Sequence, residues 1–345
     1  MSLPLVTVVI PALNAADWIG STLSSVVGQT YPKDRLEIIV VDDGSTDQTS
    51  AEAQRLLATA GIAYDTLRHA ESQGPSAARN RAWRRGRGEW VQFLDADDLL
   101  EPSKIDVQAR AARHADSGVA VLFSPWGRLV PDRGRWLQQT PWMDPVVGPD
   151  PLLDILRPEN FMQIGSLMFS RRWLERTDGF VESYRLIEDV DLLMRIVMSG
   201  GLLRPVPSTR PLSWYRQRAG SLSRENERAF VDGCVRNARR AEVYWRDRDE
   251  LTAPRAGMVA EVYFMGTRFY AERDPDVFLA LTRDIYRLEP TFLPRKPATL
   301  RLLTRIFGYT RAERCAVRYR RLKQSVQRAP TAARALPTPQ QSPRP

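Results

Sequence analysis

Histidine and cysteine are nearly missing from this chain of 345 residues, which has two of each. Cys234 and Cys315 stand far apart and form no CxxC pair, which argues against a disulfide framework or a structural zinc site and fits a reducing compartment. His69 and His114 stand apart as well, and each is expected in a surface or loop role rather than in catalysis. No uninterrupted apolar run reaches the ~20 residues needed to cross a bilayer. The apolar start MSLPLVTVVIPALN is short, contains Pro4 and Pro11, and lacks the basic flank and small-residue cleavage site of a secretory signal. The expectation is a cytoplasmic protein that rests on a membrane at most.

What is present is ordinary in bulk, 43% hydrophobic and 26% charged, as in a soluble globular protein. The formal net charge of +9 comes mainly from arginine and is unevenly spread. Organised acids lie in the first 200 residues and basic residues crowd the last third. Such a balance suits a nucleic acid, an anionic membrane or a phosphorylated substrate, and charge alone does not choose among them.

The first hundred residues alternate strand and helix patterns. LVTVVIPAL and LEIIVVDDGS read as strands buried on both faces, AYDTLRHA as a weaker strand and EWVQFLDADD as a fourth. Between them lie a helix capped by Asn14, a helix near 47–60 with Ser45 and Gln48 at capping-box spacing, and a helix from Gly74 to Gly86. A helix near 103–115 and a strand at VAVLFS follow. This alternation predicts an α/β fold, a mostly parallel sheet flanked by helices. Residues 125–150 read as a long loop, GSLMFS and PLSWYRQ as short strands, and EDVDLLMRIVMSGG as an amphipathic helix. Beyond about 225 only helical patterns remain, near 226–249, 255–273, 275–287 and 311–328. Residues 329–345 are Pro-rich and read as a disordered tail.

In an open parallel sheet, ligands bind beyond the carboxyl ends of the strands. Three strands here end in PALN, DDGS and DADD. Asp95 and Asp97 are two apart, so an extended backbone sends both to one face, a good arrangement for a hard divalent cation with a phosphate completing its shell. Taken alone, DADD reads as readily as a solvated turn before the next helix, and EDVD as a routine acidic helix start with Asp191 and Arg195 as a surface pair.

VVIPALN, IIVVDDGSTDQT, GPSAARNRA, FLDADD and GFVESYRLIEDVDLLMR, in this order over residues 4 to 220, resemble the family 2 glycosyltransferases of the GT-A fold. The resemblance implies an inverting, non-processive transferase that uses a nucleotide sugar, most often a UDP-sugar. It implies that Pro11, Ala12 and Asn14 frame the base, that Asp42 accepts a hydrogen bond from the base ring, and that Asp43 orders the DGS turn. It places Arg79 near base or diphosphate, Asp95 at the ribose and Asp97 on Mg²⁺ or Mn²⁺, with Asp98 turned toward the next helix or supporting from behind. The general base falls on the Glu188–Asp189 pair, with Asp189 first. The segment often written R-x-H reads Arg216-Gln217-Arg218; with Gln217 in that place no imidazole ligand is available, and the metal would rely on Asp97, diphosphate and water.

The expected division is a catalytic domain over 1–222, a basic helical region over 223–328 and the tail. In RAERCAVRYRRLKQSVQR, Arg314, Arg318, Arg321 and Lys323 line part of one helix, which could lie on anionic lipid or pack as an ordinary solvated helix. No aromatic-basic strand motif supports nucleic acid, and neither a QxxRW motif nor spanning helices support a processive synthase. Acceptors include a glycan, a lipid-linked sugar or another hydroxyl. Two alternatives stand beside this reading. A sugar nucleotidyltransferase would carry a Gly-rich basic loop after the first strand, where IPALNAADW has no glycine. A non-catalytic adaptor at a membrane or partner surface would have no use for Asp42, Asp95, Asp97 and Asp189 together.

Overall fold

The two strands read as buried on both faces are so. β1 (Val6–Ala12) is buried except at Pro11, and β2 (Leu36–Asp42) is buried throughout. They pair in parallel with Ala12 beside Asp42. Nine further strands follow: β3 (Ala63–Arg68), β4 (Trp90–Phe93), β5 (Leu99–Leu100), β6 (Val119–Phe123), β7 (Trp126–Asp132), β8 (Arg135–Met143), β9 (Leu167–Ser170), β10 (Leu202–Pro205) and β11 (Ser213–Arg216). This computed structural model describes residues 2–218, 226–295 and 297–328.

One sheet runs β10-β6-β9-β4-β1-β2-β3, parallel except for β9, which is antiparallel to both neighbours. A second, β5-β11-β7-β8, starts from the residues just after DADD. Helices α1 (Ala16–Val27), α2 (Thr49–Leu57), α3 (Pro75–Arg85) and α4 (Lys104–Ala112) alternate with the first strands, and α5 (Pro151–Leu156), α6 (Arg171–Thr177) and α7 (Glu188–Met198) follow. Val8, Ile10, Ile38 and Val40 meet Ile19, Leu23 and Val26 of α1 in a core almost closed to water. Each such side chain contributes about 1.5–3 kcal/mol relative to exposure.

Residues 125–150 are not one long loop. β7 and β8 form a hairpin turned by Arg133 and Gly134, both with positive φ (45° and 78°), the backbone of a tight two-residue turn. Asn14 does not cap α1, whose first flanking residue is Ala15, and Gln48 caps α2 with no side-chain bond. β10 and a helix over 298–307 were not anticipated at all.

The chain packs as two compact units, Met1–Val262 and Tyr263–Pro345, whereas the sequence suggested a boundary at 222. The end of the strand signal is not the end of the first core. α8 (Glu227–Arg246) lies against α7: Asn237 Nδ2 donates to the Ile187 carbonyl at 3.3 Å and Arg240 reaches Asp191 at 3.3 Å. Asp191, expected on the surface, is fully buried between Arg195 and Arg240. α9 (Ala253–Tyr270) runs across the boundary, and the second unit continues with α10 (Pro275–Leu288), α11 (Ala298–Phe307) and α12 (Tyr309–Arg328). Its core gathers Phe264, Phe278 and Phe292 around Tyr309, whose hydroxyl bonds Thr267 Oγ1 at 2.7 Å. The Pro-rich tail lies outside the described residues.

Candidate active site

The first two strand ends are tied into one rim. Asp43 N donates to the Ala12 carbonyl at 2.8 Å, Asn14 N donates to Ser45 Oγ at 2.9 Å, and Asn14 Oδ1 accepts from Thr46 N at 2.9 Å. Asn14, left-handed at φ 48° and exposed, therefore fastens the DDGS turn to β1, beside half-buried Pro11 and buried Ala12. Asp42 Oδ1 accepts from Ser45 N at 2.8 Å. Its Oδ2 is buried and accepts no hydrogen bond, although Arg68 Nη1 lies 3.3 Å away as a charge partner. A buried carboxylate oxygen without a donor is costly unless something outside supplies one.

Asp43 is, by contrast, fully used. His69 Nδ1 lies 2.6 Å from Oδ1, and Ser72 Oγ, Gln73 N and Gly74 N all donate to the same carboxylate. Burial alone would raise its pKa, but these bonds hold it below the ordinary value. His69 is thus buried and structural rather than at the surface. Gly44 closes the turn at φ +86°, where an added Cβ would meet Ser72 N at 2.9 Å.

The DADD segment is a turn and not extended strand: β4 ends at Phe93 and Asp98 N donates to the Asp95 carbonyl at 3.0 Å. Asp95 and Asp97 nevertheless both keep solvent contact, at 33% and 18% side-chain exposure, while Ala96 and Asp98 are buried. Asp98 is what joins the two sheets here. It accepts from Arg216 N of β11 at 2.9 Å and from Gln163 Nε2 at 2.7 Å. Burial, with Asp97 and Asp95 nearby, pushes its carboxyl well above the usual range.

Arg79 is no helix-surface arginine. It is buried, donating through Nη2 to Asp95 at 2.7 Å and through Nη1 to Glu188 Oε1 at 2.6 Å, with its guanidinium carbon 5.4 Å from the centre of the Phe180 ring. Through this one side chain the acids after β4 and the acids at the start of α7 become one site. Glu188 is spent on Arg79 and buried. Asp189, beside it and still partly open to solvent, has its carboxyl pushed up to about 7 by burial and then by Glu188, against the Val190 amide and Arg79. A carboxylate poised there can take a proton at neutral pH.

The side chain facing Asp97 is Arg218, not Gln217. Arg218 Nε donates to Asp97 Oδ2 at 2.5 Å, and the same guanidinium lies 6.0 Å from the Trp18 ring. Trp18 also takes Arg216 at 5.7 Å and packs edge-on against Trp136 of the β7–β8 hairpin at 5.8 Å. Among the described residues no group of three or more His, Cys, Asp or Glu side chains is gathered for a metal ion. The carboxylate expected to hold Mg²⁺ or Mn²⁺ already faces a fixed positive charge, and Asp95 faces another. This donor set does not fit a resident divalent cation, which would have to displace Arg218 from Asp97.

Sequence reasoning brought Pro11, Ala12, Asn14, Asp42, Asp95, Asp97, Glu188 and Asp189 forward, and the fold places all of them around the ends of β1, β2 and β4 or at the adjoining start of α7. It missed Arg68, Trp18, Trp136 and Arg218. The legible signal for Arg218 was the RQR run closing the strand that neighbours DADD.

Residues 7–177 match the Glycosyl transferase family 2 model, a span that holds Asp42, Arg79, Asp95 and Asp97 but stops short of Glu188 and Asp189. Glycosyltransferase AglE of Haloferax volcanii is 43% identical over 96 residues, 28% of this chain and 31% of that protein. Succinoglycan biosynthesis protein ExoO of Rhizobium meliloti is 29% identical over 242 residues, 67% of this chain and 66% of that one. The chain thus spans under a third of the first relative's length and about two thirds of the second's. Among solved structures, Staphylococcus aureus TarS 1–349 in complex with UDP-GlcNAc superimposes with a TM-score of 0.64 at 20% identity, over 92% of each chain, a likeness of fold. Family motif, strand-end acids and GT-A architecture agree, and residues 7–177 of the chain belong to glycosyl transferase family 2.

Proposed function

We propose that this protein transfers a single sugar, with inversion, from a nucleotide-sugar donor to an acceptor hydroxyl in the synthesis of a cell-surface polysaccharide or glycoconjugate. The observation that carries the reading is the Arg79 bridge, which sets a poised carboxylate, Asp189, next to the acids at the strand ends where an α/β sheet binds nucleotides. A UDP-sugar is favoured because the TarS neighbour is a UDP-GlcNAc complex. The polysaccharide setting is supported by the succinoglycan role in the name of the relative with the longest match described above.

The buried, unpaired Asp42 Oδ2 accepts the ring N–H of the base, with Pro11, Ala12 and Asn14 framing it and Asp95 facing the ribose. Asp189 takes the proton of the acceptor hydroxyl while that oxygen forms its bond to the anomeric carbon. The bond from the same carbon to the diphosphate oxygen breaks, and the electron pair leaves with the nucleoside diphosphate. Arg79 acts by position, holding Asp95 and Glu188 in place through its two hydrogen bonds. Incubation with a panel of nucleotide sugars tests the reading directly. Release of nucleoside diphosphate from one donor, accelerated by an acceptor glycan, is expected; no hydrolysis or transfer from any donor favours the non-catalytic adaptor.

The second unit adds a membrane contact to this reading. α11 and α12 carry nine Arg or Lys over residues 298–328 and one acid, Glu313, which is fully buried against Arg320. On α11 Leu302 and Ile306 are about 60% exposed, one turn apart, beside exposed Arg301 and Arg305; on α12 Tyr319 and Leu322 are exposed beside Arg314 and Arg318. A soluble polyanion has no use for the apolar residues. An anionic bilayer accommodates both, headgroups at the arginines and acyl chains at Leu302 and Ile306. No helix among the described residues is long and apolar enough to cross a membrane.

A further inference from the structure

The cation expected at Asp97 is already part of the chain. Arg218 leaves the end of β11, the strand that carries Asp98's partner Arg216, and its Nε reaches Asp97 Oδ2 at 2.5 Å. Its guanidinium is held on a second side by the Trp18 ring at 6.0 Å, and Trp18 is braced by Trp136. Arg218 is therefore placed by a carboxylate and an aromatic face rather than left on a mobile stem. The Asp97 carboxyl is pushed up by burial and by Asp95, while Arg218 pulls it back toward the ionised form.

From this arrangement we propose that Arg218 supplies the positive charge that receives the donor's diphosphate, so that nucleotide binding does not depend on a divalent metal and Asp97 serves to hold Arg218. The proposal rests on the donor reading above. A guanidinium has five N–H donors in a planar fork that matches phosphate oxygens, so holding Asp97 and receiving a diphosphate oxygen are compatible. It is charged at every working pH, and in a half-buried site beside an aromatic ring its attraction for a phosphate is less screened than at an open surface. A divalent ion, by comparison, would need Asp97 free and would meet Arg218 at close range with like charge. Growing charge on the leaving diphosphate would then be met by a fixed side chain needing no ion to arrive first.

The test is calorimetric titration of UDP, GDP and uridine into the intact protein, in EDTA and in Mn²⁺, for wild type, Arg218→Gln and Arg218→His. The wild-type protein is expected to bind its nucleoside diphosphate within about threefold of the same Kd in EDTA and in Mn²⁺. Arg218→Gln is expected to weaken that binding by tenfold or more while leaving nucleoside binding, which bypasses the diphosphate, unchanged; that arm also shows that the variant is folded. Arg218→His is expected to recover tight binding in Mn²⁺ alone. Wild-type binding that collapses in EDTA, or an Arg218→Gln protein that binds the diphosphate as wild type does, overturns the proposal and leaves the donor reading standing. Absence of nucleotide binding under every condition overturns both.

Discussion

Arg79 donates to Asp95 Oδ1 at 2.7 Å and to Glu188 Oε1 at 2.6 Å, joining two acidic motifs 93 residues apart in the chain. Burial works against the charge of Arg79, but Asp95 and Glu188 more than compensate and hold it protonated. Removing the guanidinium would strand two carboxylates, one of them buried. Arg79→Met is therefore expected to lower stability by about 3–5 kcal/mol, the usual cost of breaking a buried pair from one side. Arg79→Lys keeps the charge but reaches only one partner well, so it should fold more stably than the Met variant and still lose most transfer. Urea unfolding read alongside turnover separates the two effects. An Arg79→Lys enzyme with near wild-type turnover would show that a point charge suffices and that the bidentate bridge is incidental.

Asp189 gives a prediction whose sign follows from its environment. Its carboxyl stands at about 7 in the folded protein, well above its ordinary value. The base form is therefore lost as pH falls below about 7, and kcat/KM should drop about tenfold per pH unit there and level off above. Asp189→Asn should cost about 100- to 10,000-fold in kcat with donor affinity retained. Stability moves the other way. The folded state keeps a proton that the unfolded chain releases, so stability due to this residue is present at low pH and falls as pH rises through about 7. Asp189→Asn should then melt like wild type below about pH 4, where both states are protonated, gain on it as pH rises to about 7, and stay above it near pH 8. Asp97 and Asp98, also raised, slope the same way in both proteins, so the difference between the two melting curves isolates Asp189.

Asp42 and Asp43 are adjacent and chemically alike, yet the fold separates them sharply. Asp43 is saturated by His69, Ser72 and two amides, whereas Asp42 Oδ2 has no donor. Asp42→Asn should raise the donor KM about tenfold with kcat within threefold, since a hydrogen bond to an ionised acceptor is worth about 1.5–3 kcal/mol and a neutral one about half that. Asp43→Asn should instead lower the melting temperature, because an amide cannot accept from four donors at once. Equal effects of the two substitutions on KM would remove the distinction.

These contrasts show where the sequence was legible. Strand ends and their acids could be read because period, β-branching and spacing are local properties, and β1, β2 and β4 lie where VVIPA, IIVVD and WVQF put them. The hairpin over 126–143 was hidden because proline and tryptophan masked its alternation, although Arg133-Gly134 was the turn signal. Partners are a different matter. That Arg79 would turn inward, that Asp98 would tie two sheets, and that Arg218 would reach Asp97 across 121 residues all depend on which surfaces the tertiary fold brings together. The boundary at 262 was missed for the same reason, since a helix carries no mark of which core its buried face belongs to.

The second unit's surface yields the last prediction. Leu302 and Ile306 on α11 are exposed and one turn apart, with Arg301 and Arg305 beside them, so the helix presents an apolar strip edged by positive charge. The intact protein is expected to co-sediment with vesicles of phosphatidylcholine containing ~30% phosphatidylglycerol and hardly at all with phosphatidylcholine alone, since each basic residue near an anionic surface adds about 1 kcal/mol. Raising the salt should weaken this binding by screening the arginines, leaving the smaller apolar part. Leu302→Ser with Ile306→Ser should release the protein from vesicles at moderate salt while its melting temperature stays close to wild type, because neither side chain is buried. Arg301→Gln with Arg305→Gln should remove the preference for anionic lipid. If the serine variant sediments as wild type does, the apolar strip has no part in binding, and the basic face is then a site for a soluble polyanion, which competition by heparin equal for both proteins would show.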